Sequence, residues 1–288
     1  MNVADGFTRL RIDLAYDGTN YSGWAKQLSQ TTVQGELEAA LAVVLRLPAP
    51  PPTFVAGRTD AGVHARAQVV HLDVPTTALV VSWDRLAFQL RGILPNDVVV
   101  RSVSAAPAGF DARFSALWRA YEYTIDDRCA GANPLTRTSV FEHFRHLDEH
   151  RMNEASAMLL GVHDFTAFCK PREWATTVRT LQQLQWTRTD EGLLRARVQA
   201  DAFCHSMVRF LVGALMTVGE GTRPIGWPAG MLTTRVREQG FNLAAAQGLV
   251  LVEVRYPEDE LLAQRAIQTR AMREELADED GVDFSDID

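Results

Sequence analysis

The densest polar cluster in the first half of the chain is Gly57-Arg58-Thr59-Asp60-Ala61-Gly62-Val63-His64, set between two strand-like runs. Its two glycines let the backbone turn sharply and approach a ligand closely. In an extended stretch Arg58 and Asp60, which flank Thr59, point the same way. A carboxylate in a cleft stays ionised when a cation or several donors stabilise it, and an ionised aspartate there is a potential nucleophile. The same residues also suit an Asx-turn with Arg58 on the surface. Two histidine groups offer a different chemistry. His143, His146 and His150 fall at i, i+3 and i+7, a spacing that shares one helical face but crosses a strand-to-helix boundary, and His64, His71 and Asp73 lie close in sequence. Either would be a candidate zinc or iron site of a metal-dependent hydrolase. Neither has an HExxH spacing, and GxxxxGK[ST] and GxSxG motifs are missing, which removes nucleoside triphosphatase and nucleophile-elbow hydrolase readings.

The elements that would position these residues can be read from periodicity. Leu10, Ile12, Leu14 and Tyr16 alternate with polar residues, so 8–16 predicts a strand ending at the turn Asp17-Gly18. Thr32 caps a predicted helix with Val33, Leu37, Leu41 and Val44 on one face, stopped by the prolines at 48 and 50–52. A short strand at 53–56, the polar loop 57–64, a strand at Gln68–Leu72, a helix near 82–92 and a strand near 97–104 follow. The second half repeats this order loosely. It has a strand at 115–125, a helix marked by Met152, Ala155 and Leu159 and closed by Gly161, and strands near 178–188 and 193–202. Val208, Leu211, Val212, Leu215 and Val218 then form a helical stripe, and a last strand covers 249–256. The fold class this predicts is α+β: two similar halves, each an antiparallel sheet with helices on one face. The expected divisions are 1–107, 108–257 and an acidic, disordered tail at 258–288.

Composition sets the outer bounds. The chain has 288 residues, 47% hydrophobic and 23% charged, which excludes wholesale disorder and allows one large domain or two moderate ones. No run reaches the ~18 apolar residues of a membrane span, and no secretory signal is visible, so a soluble cytoplasmic protein is the expectation. Three cysteines (Cys129, Cys169, Cys204) without a CxxC pair argue against a disulfide framework and a cysteine zinc site. The net charge of −7 looks wrong for a nucleic-acid binder, but residues 274–288 hold eight acids and no base, and without them the balance is +1. Only Lys26 and Lys170 are lysines among 29 basic residues. Arginine's planar fork suits phosphate, but a genome-wide composition bias explains the count equally well.

The stretch GRTDAGVHARAQVVH closely resembles the signature of the tRNA pseudouridine synthase I (TruA) family. Six further segments match it in order: YDGTNYSGW at 16–24, LPNDV at 94–98, FDARFSALWRAYEY at 110–123, GVHDFTAFC at 161–169, FCHSMVRFLVGALMTVG at 203–219 and GLVLVEVRYP at 248–257. Together they cover nearly all of residues 9–257. The resemblance implies two α+β halves sharing a continuous sheet, a cleft between them, and a homodimer. It implies isomerisation of uridine to pseudouridine at positions 38, 39 and 40 of the tRNA anticodon stem-loop, without membrane, cofactor or metal.

By the same resemblance Asp60 matches the catalytic aspartate and Arg58 the arginine that helps hold the flipped-out nucleotide. Tyr121 matches the tyrosine that packs against the target base, and Arg209 the arginine that ion-pairs with the aspartate. These types suit the reaction. The N1–C1′ bond breaks, the uracil turns and rejoins through C5, and a carboxylate traps the intermediate at C1′ or on the base. Proton movement at C5 needs a general base; a tyrosine with an ordinary pKa of about 10 is poor at that, so stacking, worth ~1–3 kcal/mol per base, is the firmer role for Tyr121. Read alone, Tyr121 is a strand aromatic suited to a core, and Arg209 a lone arginine whose head reaches solvent from an apolar helix. Ala25 after Trp24 and Ala67 before Gln68 depart from the family's usual Gln and Gly, away from the nucleophile. A catalytically silent RNA-binding protein of the same fold is the alternative in another class.

Overall fold

Alternation along β1 (Phe7–Tyr16) buries Leu10, Ile12 and Leu14 completely and sends Arg9, Arg11 and Asp13 to the opposite face. The computed structural model describes residues 3–128, 131, 133–170 and 176–279. They fall into two units, one of 1–117 with 251–270 and one of 118–250 with the residues from 271.

In the first unit α1 (Val33–Val44) starts where the Thr32 side chain accepts the Gly35 N–H. β2 (Phe54–Val55) and β3 (His64–Pro75) follow, then α2 (Trp83–Ile93), capped by Ser82, and β4 (Val98–Ala105). β1 lies between β3 and β4, antiparallel to both, with Leu10 opposite Leu72 and Ile12 opposite Val70. Val70, Leu72, Leu37, Leu41, Leu86 and Leu90 are all fully buried, each worth ~1.5–3 kcal/mol of transfer free energy.

In the second unit β5 (Trp118–Asp126) pairs in parallel with β6 (Phe141–Glu142). After these come α3 (Glu149–Ala157), β7 (Gly161–Asp164), β8 (Val178–Arg188), β9 (Leu194–Ala200), α4 (Met207–Gly219) and α5 (Trp227–Thr234). The ladder β5-β9-β8-β7 is antiparallel throughout. α3 is tied to β8 by Asn153, whose side chain accepts the Trp186 N–H at 2.8 Å and donates to its carbonyl at 2.9 Å. The buried Asp127 carboxylate takes two bonds from Arg188, at 2.5 and 2.7 Å, and one from the Leu147 N–H at 2.8 Å. Those donors hold Asp127 below the usual carboxylate range although burial pushes the other way.

β10 (Leu249–Arg255) neighbours β3, its residues from Leu251 belonging to the first unit, and α6 (Leu262–Glu279) follows. Leu262 joins Ala56, Val69, Phe110 and Ala112 in a cluster on the sheet face opposite Leu72. The expectation of helices on one face therefore holds for α1 and α2 and fails for the start of α6, which is seated by two bonds. Arg270 donates to Asp111 at 2.6 Å and Ser115 to the Leu262 carbonyl at 3.1 Å. The expected disordered tail from 258 is helical over Leu262–Glu279; residues 280–288 lie outside the described ones.

Other differences have local causes. Asp111 accepts the Arg113 and Phe114 N–H groups, so 111–114 is a turn and β5 begins at Trp118 rather than at 115. Gly161, with φ of 106°, opens β7 instead of closing α3. Cys169 and Cys204 are joined by a disulfide with Cα atoms 5.8 Å apart, a single bridge where no cysteine pairing was expected. Their segments converge, the Lys170 N–H bonding the His205 carbonyl at 3.0 Å.

His71 links the sheet to the Asp111 turn: its Nδ1 accepts the Ala112 N–H at 3.0 Å and its ring stacks on Phe54 at 5.0 Å. Burial lowers its pKa from 6.5 to about 4. The unfolded chain therefore binds a proton that the folded chain refuses between those values, and stability is lost as pH falls through that window. Thermal melting should show Tm falling from pH 7 to pH 4.5. His71→Asn, which keeps an acceptor but does not titrate, should flatten that part of the curve.

Candidate active site

A loop without a ladder must satisfy its backbone groups elsewhere, and the loop 57–63 does so on residues 16–24. The Trp24 N–H donates to the Thr59 carbonyl at 3.0 Å, and the Gly62 N–H to the Tyr21 carbonyl at 3.3 Å. Within the loop Val63 N–H closes onto the Asp60 carbonyl at 3.1 Å. Two glycines permit this approach. A Cβ on Gly23, whose φ is 94°, would lie 2.8 Å from the Thr59 carbonyl oxygen, and one on Gly18 would collide with the Val63 carbonyl.

On this platform the side chains alternate. Arg58 is exposed, Thr59 is buried, Asp60 is half-buried and Ala61 is exposed. The sequence expectation that Arg58 and Asp60 share a side is thus compatible with an accessible guanidinium and a carboxylate partly withdrawn from water.

The other two predicted residues lie in the second unit. Tyr121, on β5 opposite Val198, is 7% exposed, and its ring meets Phe203 edge-on at 5.1 Å. That edge-to-face contact fixes the ring plane. Arg209 lies in the first turn of α4, where the helix dipole disfavours a cation. It is clamped there: its Nε donates to the Ala244 carbonyl at 2.7 Å, and the Ala244 N–H returns a bond to the Arg209 carbonyl at 3.2 Å. Its charge reaches the Tyr123 hydroxyl, opposing the upward push of burial on that phenol. Sequence reasoning did not single out Tyr123, though its i+2 relation to Tyr121 in RAYEY puts the two on one face of β5.

The histidines of the metal reading are dispersed. Of His143, His146 and His150 only His150 lies in α3, so the three share no helical face. His143 contacts Glu220 at 3.0 Å and His146 contacts Asp127 at 3.2 Å. His64 and His71 have separate partners, Asp17 at 3.0 Å from His64 and the Ala112 N–H at 3.0 Å from His71, and Asp73 is held bidentately by Arg9 at 2.7 and 2.8 Å. Among the described residues no group of three metal-ligating side chains comes together, and no helix is long and apolar enough to cross a membrane.

Residues 155–257 match the family model described as tRNA pseudouridine synthase. A tRNA pseudouridine synthase A of Streptomyces griseus is 54% identical over 93% of this chain and 95% of its own. That of Frankia casuarinae is 54% identical over 94% and 97%, and that of Mycobacterium leprae 47% over 92% and 95%. With such identity sustained along nearly the full length of both partners, the chain belongs to the tRNA pseudouridine synthase A family.

Proposed function

We propose that the chain, acting as a homodimer, isomerises uridine to pseudouridine at positions 38, 39 and 40 of the tRNA anticodon stem-loop, with Asp60 as nucleophile. The observation that carries this is the half-buried Asp60 carboxylate on a loop whose backbone is fixed by a second loop, beside an exposed Arg58. Preorganised charge of that kind costs no rearrangement when the reaction begins.

The chemistry is balanced without an added reactant. Asp60 adds to the nucleotide, at C1′ or on the base, and the N1–C1′ bond breaks. The uracil turns and C5 bonds to C1′, the C5 proton leaves and N1 takes one up, and the carboxylate is released. Substrate and product are isomers, so no electron is gained or lost. Everting a paired nucleotide costs a few kcal/mol. Tyr121, its ring plane fixed by Phe203, offsets part of that by stacking on the base, while Arg58 holds the everted nucleotide. Arg209 supplies the cation that pairs with Asp60 in the reacting complex. Its seat against the helix dipole, secured by the Ala244 carbonyl, supports a role other than helix stability.

Asp60→Ala should abolish tritium release from C5-labelled uridine in unmodified tRNA while leaving tRNA affinity within about tenfold, ~1.4 kcal/mol. Turnover near wild type would refute the nucleophile, and mapping pseudouridine in the treated tRNA tests the three positions. Arg209→Ala should slow single-turnover isomerisation by ~100-fold, the loss typical of removing one charge-stabilising donor. Lysine, which lacks the planar fork, should restore only part of it. A rate within threefold of wild type in Arg209→Ala would remove that residue from the chemistry.

A further inference from the structure

Thr59 stands between Arg58 and Asp60 and points the other way, into the protein, where it is 7% exposed. Its hydroxyl meets the Tyr16 hydroxyl at 2.7 Å. The Gln68 Nε2 donates to that same Tyr16 oxygen at 3.1 Å and to the Gly57 carbonyl at 2.9 Å. Tyr16 is 4% exposed and Gln68 fully buried. A carbonyl only accepts, so the bond to Gly57 fixes the amide orientation of Gln68. Tyr16 therefore accepts from Gln68 and shares a second bond with the Thr59 hydroxyl, in which either oxygen can donate. Burial pushes the Tyr16 pKa up to about 12, so the phenol stays neutral at any physiological pH.

Two features of the sheet serve this chain of bonds. The β1–β3 register shifts between Leu14 and Tyr16, an irregularity of the kind that re-aims a side chain at the end of a strand. Gln68 occupies the inward position of β3 shared with the fully buried Val70 and Leu72, where an amide costs stability unless it is fully bonded. A buried polar residue at an apolar position commonly marks a functional site.

We infer that Tyr16, Thr59 and Gln68 are positioning residues for the isomerisation. They pin the loop on both sides of Arg58, at the Gly57 carbonyl and at the Thr59 side chain, so that rotation about the segment, and with it the aim of the Asp60 carboxylate, is fixed. None of the three touches substrate. The inference rests on Asp60 being the nucleophile, since it concerns where that carboxylate points.

The test uses the full-length protein and unmodified tRNA, with kcat, tRNA Kd and Tm measured for each variant. Tyr16→Phe and Thr59→Val remove hydroxyls without removing bulk. Each should lower kcat at saturating tRNA by tenfold or more, as a nucleophile displaced by a fraction of an ångström loses its near-attack geometry, with Kd within twofold. Thr59→Ser, which keeps the hydroxyl, should recover kcat to within threefold of wild type. The Tyr16→Phe, Thr59→Val double variant should be no slower than the slower single one, because both cut the same chain. A purely structural role would lower Tm and leave kcat of the folded enzyme unchanged. A kcat within twofold of wild type in both single variants overturns the inference. So does a Thr59→Ser variant as slow as Thr59→Val. Should Tyr16→Phe not fold, the Thr59→Val and Thr59→Ser pair decides. Asp60→Ala run in parallel separates the two readings. If it is inactive while the hydroxyl variants are normal, only the positioning role falls. If it turns over, the nucleophile falls and the positioning role with it.

Discussion

The close approach of residues 16–24 to the loop 57–63 is the constraint on which the rest of the first unit depends. A loop gains accessibility by leaving the sheet, and in doing so it strands N–H and carbonyl groups that would otherwise be paired. Here a second loop takes them. The Thr59 carbonyl is met by Trp24, and the Tyr21 carbonyl receives Gly62. The arrangement works only if the two backbones come nearly into van der Waals contact, which is why glycines stand at positions 18 and 23. Two separated motifs, YDGTNYSGW and GRTDAGVH, are therefore halves of one structural device.

The second unit solves a different problem, that of placing a cation where the local field opposes it. Arg209 lies in the opening turn of a helix that is otherwise apolar, and the dipole there favours an anion by a few tenths to ~1 kcal/mol. The Ala244 carbonyl holds the guanidinium at Nε, and the Ala244 N–H bonds the Arg209 backbone carbonyl. Gly213, one helical turn on, lets the chain at Asn242 pass directly against α4, so the segment that clamps Arg209 is itself packed onto the same helix. A residue that local physics disfavours is thus retained by its tertiary setting.

Much of this was legible in the sequence. β1, β9, α1 and α2 follow from period-2 and period-3.6 patterns because each has a more buried face and a more polar one. The GRTD loop was legible as a break between two such patterns. What escaped reading lacks local signal. α6 has apolar residues spread all around it and is seated by Arg270, which bonds a residue 159 positions away. β3 runs from His64 to Pro75 instead of Gln68 to Leu72 because Ala65 and Val74 pair with β1 beyond the apolar run. The Cys169–Cys204 bridge closes over 35 residues, a proximity that only the fold creates. Tyr16, Thr59 and Gln68 each read singly as an ordinary strand or loop residue, and their relation exists only in three dimensions.

The arginine content can now be interpreted. With 29 lysines and arginines, of which only two are lysines, the chain invites a purely electrostatic account of RNA binding. Many of those guanidiniums are instead engaged internally. Arg9 grips Asp73 and the Phe110 carbonyl, and Arg188 grips Asp127 and the Leu147 carbonyl. Arg119 bonds the Asp201 carbonyl, Arg151 the Val218 and Arg223 carbonyls, and Arg237 the Ala167 and Cys169 carbonyls while lying over the Phe210 ring. A planar fork with five donors can close several carbonyls at once, which a lysine ammonium does less well. These contacts join separate segments of the fold through carbonyls and carboxylates. The number of arginines is therefore no measure of the charge a polyanion would meet, because part of it is committed to carbonyls and carboxylates within the fold.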